Sequence, residues 1–517
     1  MYRASSSRRQ RRQRIIDEQV GKMSVSLDEL SLTESLEDNV SLMQQLFADV
    51  DTVQVRRLEN ENDAALKYAI IYSEGVVSKE IINEHVIIPL MTSNAVKPDK
   101  MLIDNLIWKV LKISDAVKTS SVKDVVEAIS YGDTVLFAEG SSDAATLNTK
   151  SFTIRAIDEP ENERSLAGPR EGFTESLLTN LSLIRRKVRS NELKMKMRVF
   201  GRRTQTKVCI CYMDGIVNKQ LLDELNRRLK EIDMDAILDV NYLAEMMRDA
   251  KLPLFHTTGY TERPDVVVGK LMEGRIAMFV DGTPVVLTIP YLFIENFQSS
   301  EDYYLSHIFA SFSRMLRILG FILTLTVPGL YVAVVAYHHE LMPTRLLINI
   351  AVERASVPLP AALEAFLMLI VFDILRETGV RMPGNIGQAL SIVGALVIGQ
   401  SAVEAKLVAA PMIIVVALTG ICNLLVPKLA APTIFIRLWL LLLGTMFGFY
   451  GVLLGIVAVT IHVINLRSFG VPMVTPVGTL RHQEIKDTWV RSPWWQMNLR
   501  PRLTSNRTRM KNGDNGS

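Results

Sequence analysis

At 517 residues the chain has room for two or three domains. Its net charge of +3 and mean hydropathy of +0.19 average a polar front half and an apolar rear half, so neither value describes either part. What the sequence excludes is one soluble domain from end to end, because successive apolar runs near the ~20 residues of a bilayer-crossing helix exceed what a soluble core needs. The three cysteines agree with a reducing compartment.

The first fourteen residues carry six arginines and no acid. The polar stretch behind them lacks the apolar segment of a secretory leader, so the front half is expected to remain in the cytoplasm. Residues 1–45 are expected to be a basic, polar, disordered arm. Residues 46–158 read as a first α/β subdomain. Residues 159–198 read as a linker with an amphipathic helix whose basic face holds Arg185, Arg186, Lys187 and Arg189. Residues 199–300 read as a second α/β subdomain. The two subdomains share a repeat. Tyr72, Gly75, Val77, Lys79 and Glu84 match Tyr212, Gly215, Val217, Lys219 and Glu224 at a constant offset, with Glu74 answering Asp214. Gly132–Gly140 (GDTVLFAEG) is then echoed by Gly274–Gly282 (GRIAMFVDG). Each copy predicts strand, two helices, strand, acid-Gly turn and strand.

Cys209 and Cys211 share one face of a predicted strand, where two small core side chains are the expected reading. The half carries no Walker A, GxGxxG or HExxH motif, and His85 and His256 belong to no catalytic or metal-ligand motif in the sequence. No catalytic, cofactor or metal residue is assigned, and the chain is not expected to be an enzyme.

Residues 301–466 are expected to be a polytopic helical bundle with apolar runs at 318–337, 359–375, 386–403, 407–426 and 434–464. Tyr303, Tyr304, Arg314 and Arg317 resemble an interfacial belt. The basic flanks, including a tail from 467 to 517 with nine Lys/Arg against three Asp/Glu, read as cytoplasmic segments beside anionic lipid, not as nucleic-acid contacts. Two cytoplasmic ends require an even number of crossings. Five runs therefore suggest four crossings and one partial, re-entrant segment, for which 386–403 is the choice because it is short and rich in glycine and amides.

Ionisable groups at membrane depth are functional candidates by default. Glu364 has no basic neighbour on its own helix, whereas Asp373 and Glu377 have Arg376 and Arg381 to pair with. A conduction path along 386–403 and one face of 359–375 would place Val393, Leu396 and Val397 at an apolar constriction. Gln388, Gln400 and Glu364 would sit at wetter levels. Gly444, Gly448, Gly451 and Gly455 are expected to form a flat packing seam on one helix, within the chain or between subunits.

Several long strings resemble the A-subunit family of spore germination receptors (GerA type). They are GPREGFTESLLTN (168–180) with IRRKVRS, RPDVVVGKLMEGRIAMFVDGTP (263–284), QSSEDYY (298–304), the whole of 376–421, and RSFGVP (467–472). Where the family often reads MEITFEILRE, this chain has MLIVFDILRE at 368–377, with Leu369 in place of an acid and Asp373 in place of another. The resemblance implies residence in the endospore inner membrane and partnership with a transporter-like B subunit and a lipoprotein C subunit. It also implies assembly into a homo-oligomer, a pentamer, that releases monovalent cations when nutrient is sensed. A related branch serves dipicolinate release. Two other functions fit the residues. A secondary transporter or exporter would show repeats in the membrane half, whereas the repeat here lies in the soluble half. A non-conducting scaffold would dock partners through the α/β part.

Overall fold

The computed structural model describes residues 30–96, 101–151, 167–250, 253–381, 397–475 and 487–497, with single positions between them. They fall into two compact units: an α/β unit drawn mainly from residues before Pro290, and a helical unit formed by Asp249–Thr257 and the chain from Tyr291.

The α/β unit contains two five-stranded sheets. In the first, β1 (Val53–Glu59), β2 (Lys67–Ser73), β3 (Ala116–Thr119), β4 (Thr134–Ala138) and β5 (Ala144–Leu147) lie in the order β1-β2-β4-β5-β3, with antiparallel neighbours. In the second, β6 (Leu193–Phe200), β7 (Thr206–Met213), β8 (Gly259–Thr261), β9 (Ile276–Val280) and β10 (Val286–Ile289) lie in the corresponding order β6-β7-β9-β10-β8. The register corresponds too: Ile70 pairs with Leu136 as Ile210 pairs with Met278.

Helices cover both faces of the first sheet. Because alternate strand residues point to opposite faces, Ala69 and Ile71 meet α1 (Leu36–Leu46) and α4 (Val122–Tyr131), through Val40, Met43, Val125 and Ile129. Tyr68 and Ile70 meet α2 (79–92, π-helical over Ile82–Ile87) and α3 (Leu102–Lys109), through Ile82, Val86, Ile103 and Leu106. Burial on both faces explains why β2 is apolar without alternation. In the second sheet α5 (Leu177–Lys187) and α8 (Pro264–Met272) cover the face carrying Cys209, Cys211 and Phe279. The cysteines are thus free, fully buried core side chains. Helix α6 (Lys219–Lys230) buries Leu221, Leu225 and Leu229, a four-residue spacing that defines one helical stripe, and α7 (Val240–Met246) follows it.

Two sequence expectations are corrected here. The stretch 36–46, assigned to a disordered arm, is helix α1, and the linker helix is its counterpart α5. Residues 33–43 read TESLEDNVSLM and 174–184 read TESLLTNLSLI. In both copies an asparagine, Asn39 or Asn180, ties back to the threonine six residues earlier. In both copies the acid of the acid-Gly turn caps the helix: Glu139 accepts from the Leu36 N–H at 3.0 Å and Asp281 from the Leu177 N–H at 3.1 Å. The sequence match between the two segments therefore extends back to Thr33 and Thr174. The second correction concerns the basic face. Arg185 is buried and donates to the Ser190 carbonyl, its burial drawing its pKa down to about 10. Arg186 and Lys187 pair with Glu171.

The helical unit comprises α9 (His307–Ala336), α10 (Thr344–Ala355), α11 (Ala361–Arg381), a helical stretch at 397–404, α12 (Ala410–Leu424) and α13 (Ala430–Asn465), then a two-stranded turn, β11 (Arg467–Ser468) and β12 (Val471–Pro472). Among the described residues, two segments are by length and composition long and apolar enough to cross a membrane: His307–Ala336 and Pro427–Asn465.

The second of these is not one rod. Gly448 has φ +59° and ψ −142°, outside helical geometry and in a region reserved for glycine. A Cβ on Gly451 would strike the Leu443 carbonyl, and one on Gly455 would strike Leu440. A straight helix would separate residues 440 and 455 by roughly 22 Å. Residues 430–447 and 449–465 therefore fold back on each other as a helical hairpin, with Gly448 at the tip beside Tyr337 and His338. Tyr337 Oη donates to the Thr445 carbonyl at 2.6 Å, supplying a partner where the helical ladder is interrupted.

Directions follow from the contacts. Glu364 in the first turn of α11 meets Ala409 at the start of α12, and Gly420 late in α12 abuts Phe372 late in α11. The two helices run parallel. Gly329 of α9 lies against Leu440, and Tyr337 against Gly448. The first hairpin arm thus runs parallel to α9 and the second returns.

Candidate functional site

The chemistry of the helical unit lies in charges held among apolar side chains. Glu364 is 1% exposed, beside Ala361, Ala365 and Met412. Its Oε1 accepts from the Ala409 N–H at 2.6 Å, at the N-terminus of α12. There the helix dipole favours a negative group. Among the described residues its Oε2 has no hydrogen-bond partner, and neither do Tyr331 Oη and Arg354 Nη1, although the Arg354 charge acts on both side chains. Glu364 is therefore tied into packing at the start of α12. Leu369, where the family often has an acid, is fully buried in the same apolar cluster.

Asp373 pairs across helices with Arg437, whose guanidinium is 0% exposed. The sequence offers Arg376 and Arg381 to both Asp373 and Glu377; Glu377 does bind Arg381, at 2.7 Å on the surface, whereas Asp373 takes Arg437 from another helix. The available signal was a pair of lone opposite charges in two apolar runs, which need each other in a low-dielectric setting. An open cleft beside this pair is lined by Ile370, Asp373, Arg376, Arg381, Ile434 and Leu438.

Of the residues expected along a conduction path, Gln388, Val393 and Leu396 lie outside the described residues. Val397 is more than half exposed, and Gln400 is exposed with its amide donating to Glu404 at 2.9 Å. Gly394 faces Leu375 and Gly399 faces Ile413, so this stretch runs beside α11 and α12. The glycines of the expected single-helix seam are divided by the hairpin. Gly444 approaches the Gly329 carbonyl and Val452, Gly451 and Gly455 lie between the two arms, and Gly448 makes the turn. Within this chain these glycines lie against α9 and between the two arms.

Sequence reasoning also missed a polar clasp at the start of α9. Arg314 is not an interfacial residue but fully buried. It donates to Asp302 at 3.1 Å, to the Asp487 carboxylate at 3.0 Å and to the Thr488 carbonyl at 3.0 Å. Arg317 grips the other oxygen of Asp302 at 2.9 Å. Among the described residues no group of three or more His, Cys, Asp or Glu side chains could hold a metal ion.

The described residues thus form an α/β unit and a unit of apolar helices with charges buried between them. A family model described as Bacillus/Clostridium GerA spore germination protein matches residues 41–503, and the chain belongs to this family of spore germination receptor A subunits. It is similar to the uncharacterized membrane protein YfkQ of Bacillus subtilis (strain 168), 39% identical over 472 residues and 91% of each chain. It is also similar to spore germination protein KA of the same organism, 38% identical over 93% of this chain and 89% of that one. Spore germination protein GerLA of Bacillus cereus is 33% identical over 84% of this chain and 88% of that one. Among solved structures, the N-terminal domain of the A subunit of the Bacillus megaterium spore germinant receptor GerK3 is 30% identical. That match covers 51% of this chain and 98% of that one, with a TM-score of 0.41.

Proposed function

We propose that this chain is the A subunit of a spore germinant receptor, a multi-pass membrane protein that assembles with copies of itself and conducts monovalent cations once nutrient is sensed on a partner chain. The observation that carries the reading is the placement of Glu364, Asp373 and Arg437 among apolar side chains, with Glu364 and Arg437 buried. Such charges are costly at membrane depth and are retained where ions or protons must pass or where a conformational change is controlled. The transporter-like B subunit and the lipoprotein C subunit are the expected partners.

The described helices supply five passages, α9, α11, α12 and the two arms of α13, and the parallel course of α11 and α12 supports a count of six. Six is even, so both flanks of the bundle face one side, the spore core, without requiring 386–403 to be a partial crossing. In this arrangement Val397 and Gln400 are exposed on the returning connection, available to a path between copies of the chain. The matching order, register and capping of the two sheets support one duplicated α/β unit.

Potassium flux through liposomes containing the chain with its B and C partners tests the reading. Flux that rises with an amino-acid and sugar mixture is expected. No flux under any condition would leave a scaffold, and flux requiring a co-transported solute would mark a transporter.

A further inference from the structure

We propose that residues 487–497 form a releasable strap that clamps the start of α9, and that freeing it is a step in opening the subunit. The proposal deepens the conducting reading above and rests on it.

The strap is held at three points along the 298–317 segment, two polar and one aromatic. Arg314 carries the first: its guanidinium is fully buried and spends its donors on Asp302, the Asp487 carboxylate and carbonyl, and the Thr488 carbonyl. Asp487 is also gripped by Tyr303 Oη at 2.6 Å, and its carbonyl by the Gln298 amide at 2.7 Å. Arg491 carries the second point, donating from its side chain to the Leu305 carbonyl at 2.9 Å and from its backbone to Ser311 Oγ at 3.0 Å. The third is aromatic: Trp494 packs on Tyr303 and Trp495 on His307.

The chemistry suits a clamp rather than a permanent joint. Two arginines and two aspartates balance in charge around Arg314, so the closed form is satisfied. Loss of one partner strands a buried charge and drives the site open. An apolar contact of the same size would have no such all-or-none character. The clamped helix is also the one through which movement would spread. A Cβ added to Gly320 of α9 would meet the Cys422 carbonyl oxygen of α12 at 3.3 Å, and one added to Gly329 would meet the Leu440 carbonyl oxygen of the hairpin at 3.0 Å. At such close backbone approaches α9 cannot tilt without displacing both neighbours.

The test uses spores carrying the full chain with its partners, and reads potassium release at matched protein level. Asp487→Asn is expected to raise release without nutrient at least tenfold. A Ser311→Cys, Arg491→Cys pair, oxidised to tie the strap to α9, is expected to abolish release in response to a mixture of amino acids, glucose and nucleosides, and dithiothreitol to restore it. If the tied chain responds as fast as the reduced one, the strap does not open and the proposal falls. If Asp487→Asn does not accumulate, the disulfide arm decides alone. If deleting the chain leaves potassium release unchanged, the conducting reading fails instead. The strap is then judged on purified chain by maleimide labelling of a cysteine at 491. Labelling at least tenfold faster with Asp487→Asn supports release, and equal rates overturn it.

Discussion

At the scale of single residues, the most consequential contact is the Asp373–Arg437 pair. Arg437 has no exposed surface, and its Nε and Nη1 find no other partner. Removing the counter-charge leaves a buried cation uncompensated, a loss on the order of 3–5 kcal/mol. Asp373→Asn should therefore sharply lower the thermal unfolding temperature of the detergent-solubilised chain, while Asp373→Leu with Arg437→Met should recover most of the loss. A fall no larger than that of a surface substitution would remove the pair from any central role. Tyr68 offers a second measurement, in the α/β unit. Burial, with the Asp63 charge adding to it, pushes its phenol up to about 12. An unfolded tyrosine ionises near ~10, so between pH 10 and 12 the unfolded chain loses this proton while the folded one keeps it. The stabilisation is complete below pH 10 and disappears as pH rises through 12, a change on the order of 2–3 kcal/mol. Tyr68→Phe should flatten the pH dependence of stability in that window by this share, measured by denaturant unfolding of both chains.

At the scale of elements, Gly448 decides whether α13 is a rod or a hairpin. Its φ of +59° with ψ −142° is closed to residues with a side chain, and a Cβ there would sit 3.2 Å from the Tyr337 Cβ. Gly448→Ala should cost about 1–3 kcal/mol in backbone strain alone. Expression and detergent stability should fall well below those of Ala458→Gly on the same apolar arm. Equal stability would argue for a continuous helix. The acid-Gly turns show a related dependence on context: Glu139 and Asp281 look like ordinary turn acids in sequence, yet each caps a helix more than a hundred residues earlier.

At the scale of the whole helical unit, the six-passage arrangement makes a geometric prediction. The hairpin tip and the loop after α9 lie together, because Gly448 touches Tyr337 and His338. The strap lies at the opposite end of α9, on Arg314. Cysteines at Glu340 and Tyr450 should label from one side of a sealed membrane and a cysteine at Val490 only from the other. Labelling of Tyr450→Cys from the same side as Val490→Cys would mean that the hairpin does not reach across.

The sequence by itself determined the division into a polar α/β half and an apolar helical half, the repeated strand–helix pattern, and the family. Each is written in local composition, periodicity or unbroken strings of residues. It also contained the start of each repeat, TESL-x-x-N-x-S-L, but the helix it opens lies where charged neighbours mask the apolar stripe. Tertiary structure alone decided which charges pair, that Arg185 and Arg314 are buried, and that the longest apolar run reverses at one glycine. Glycine has the same composition whether it thins a helix face or takes a conformation closed to other residues. A charge in an apolar run likewise shows its cost locally but its partner only after folding. Asp373 found Arg437 sixty-four residues on, and Arg314 found Asp487 across almost the whole helical unit, because low-dielectric packing selects partners by spatial proximity and not by spacing along the chain.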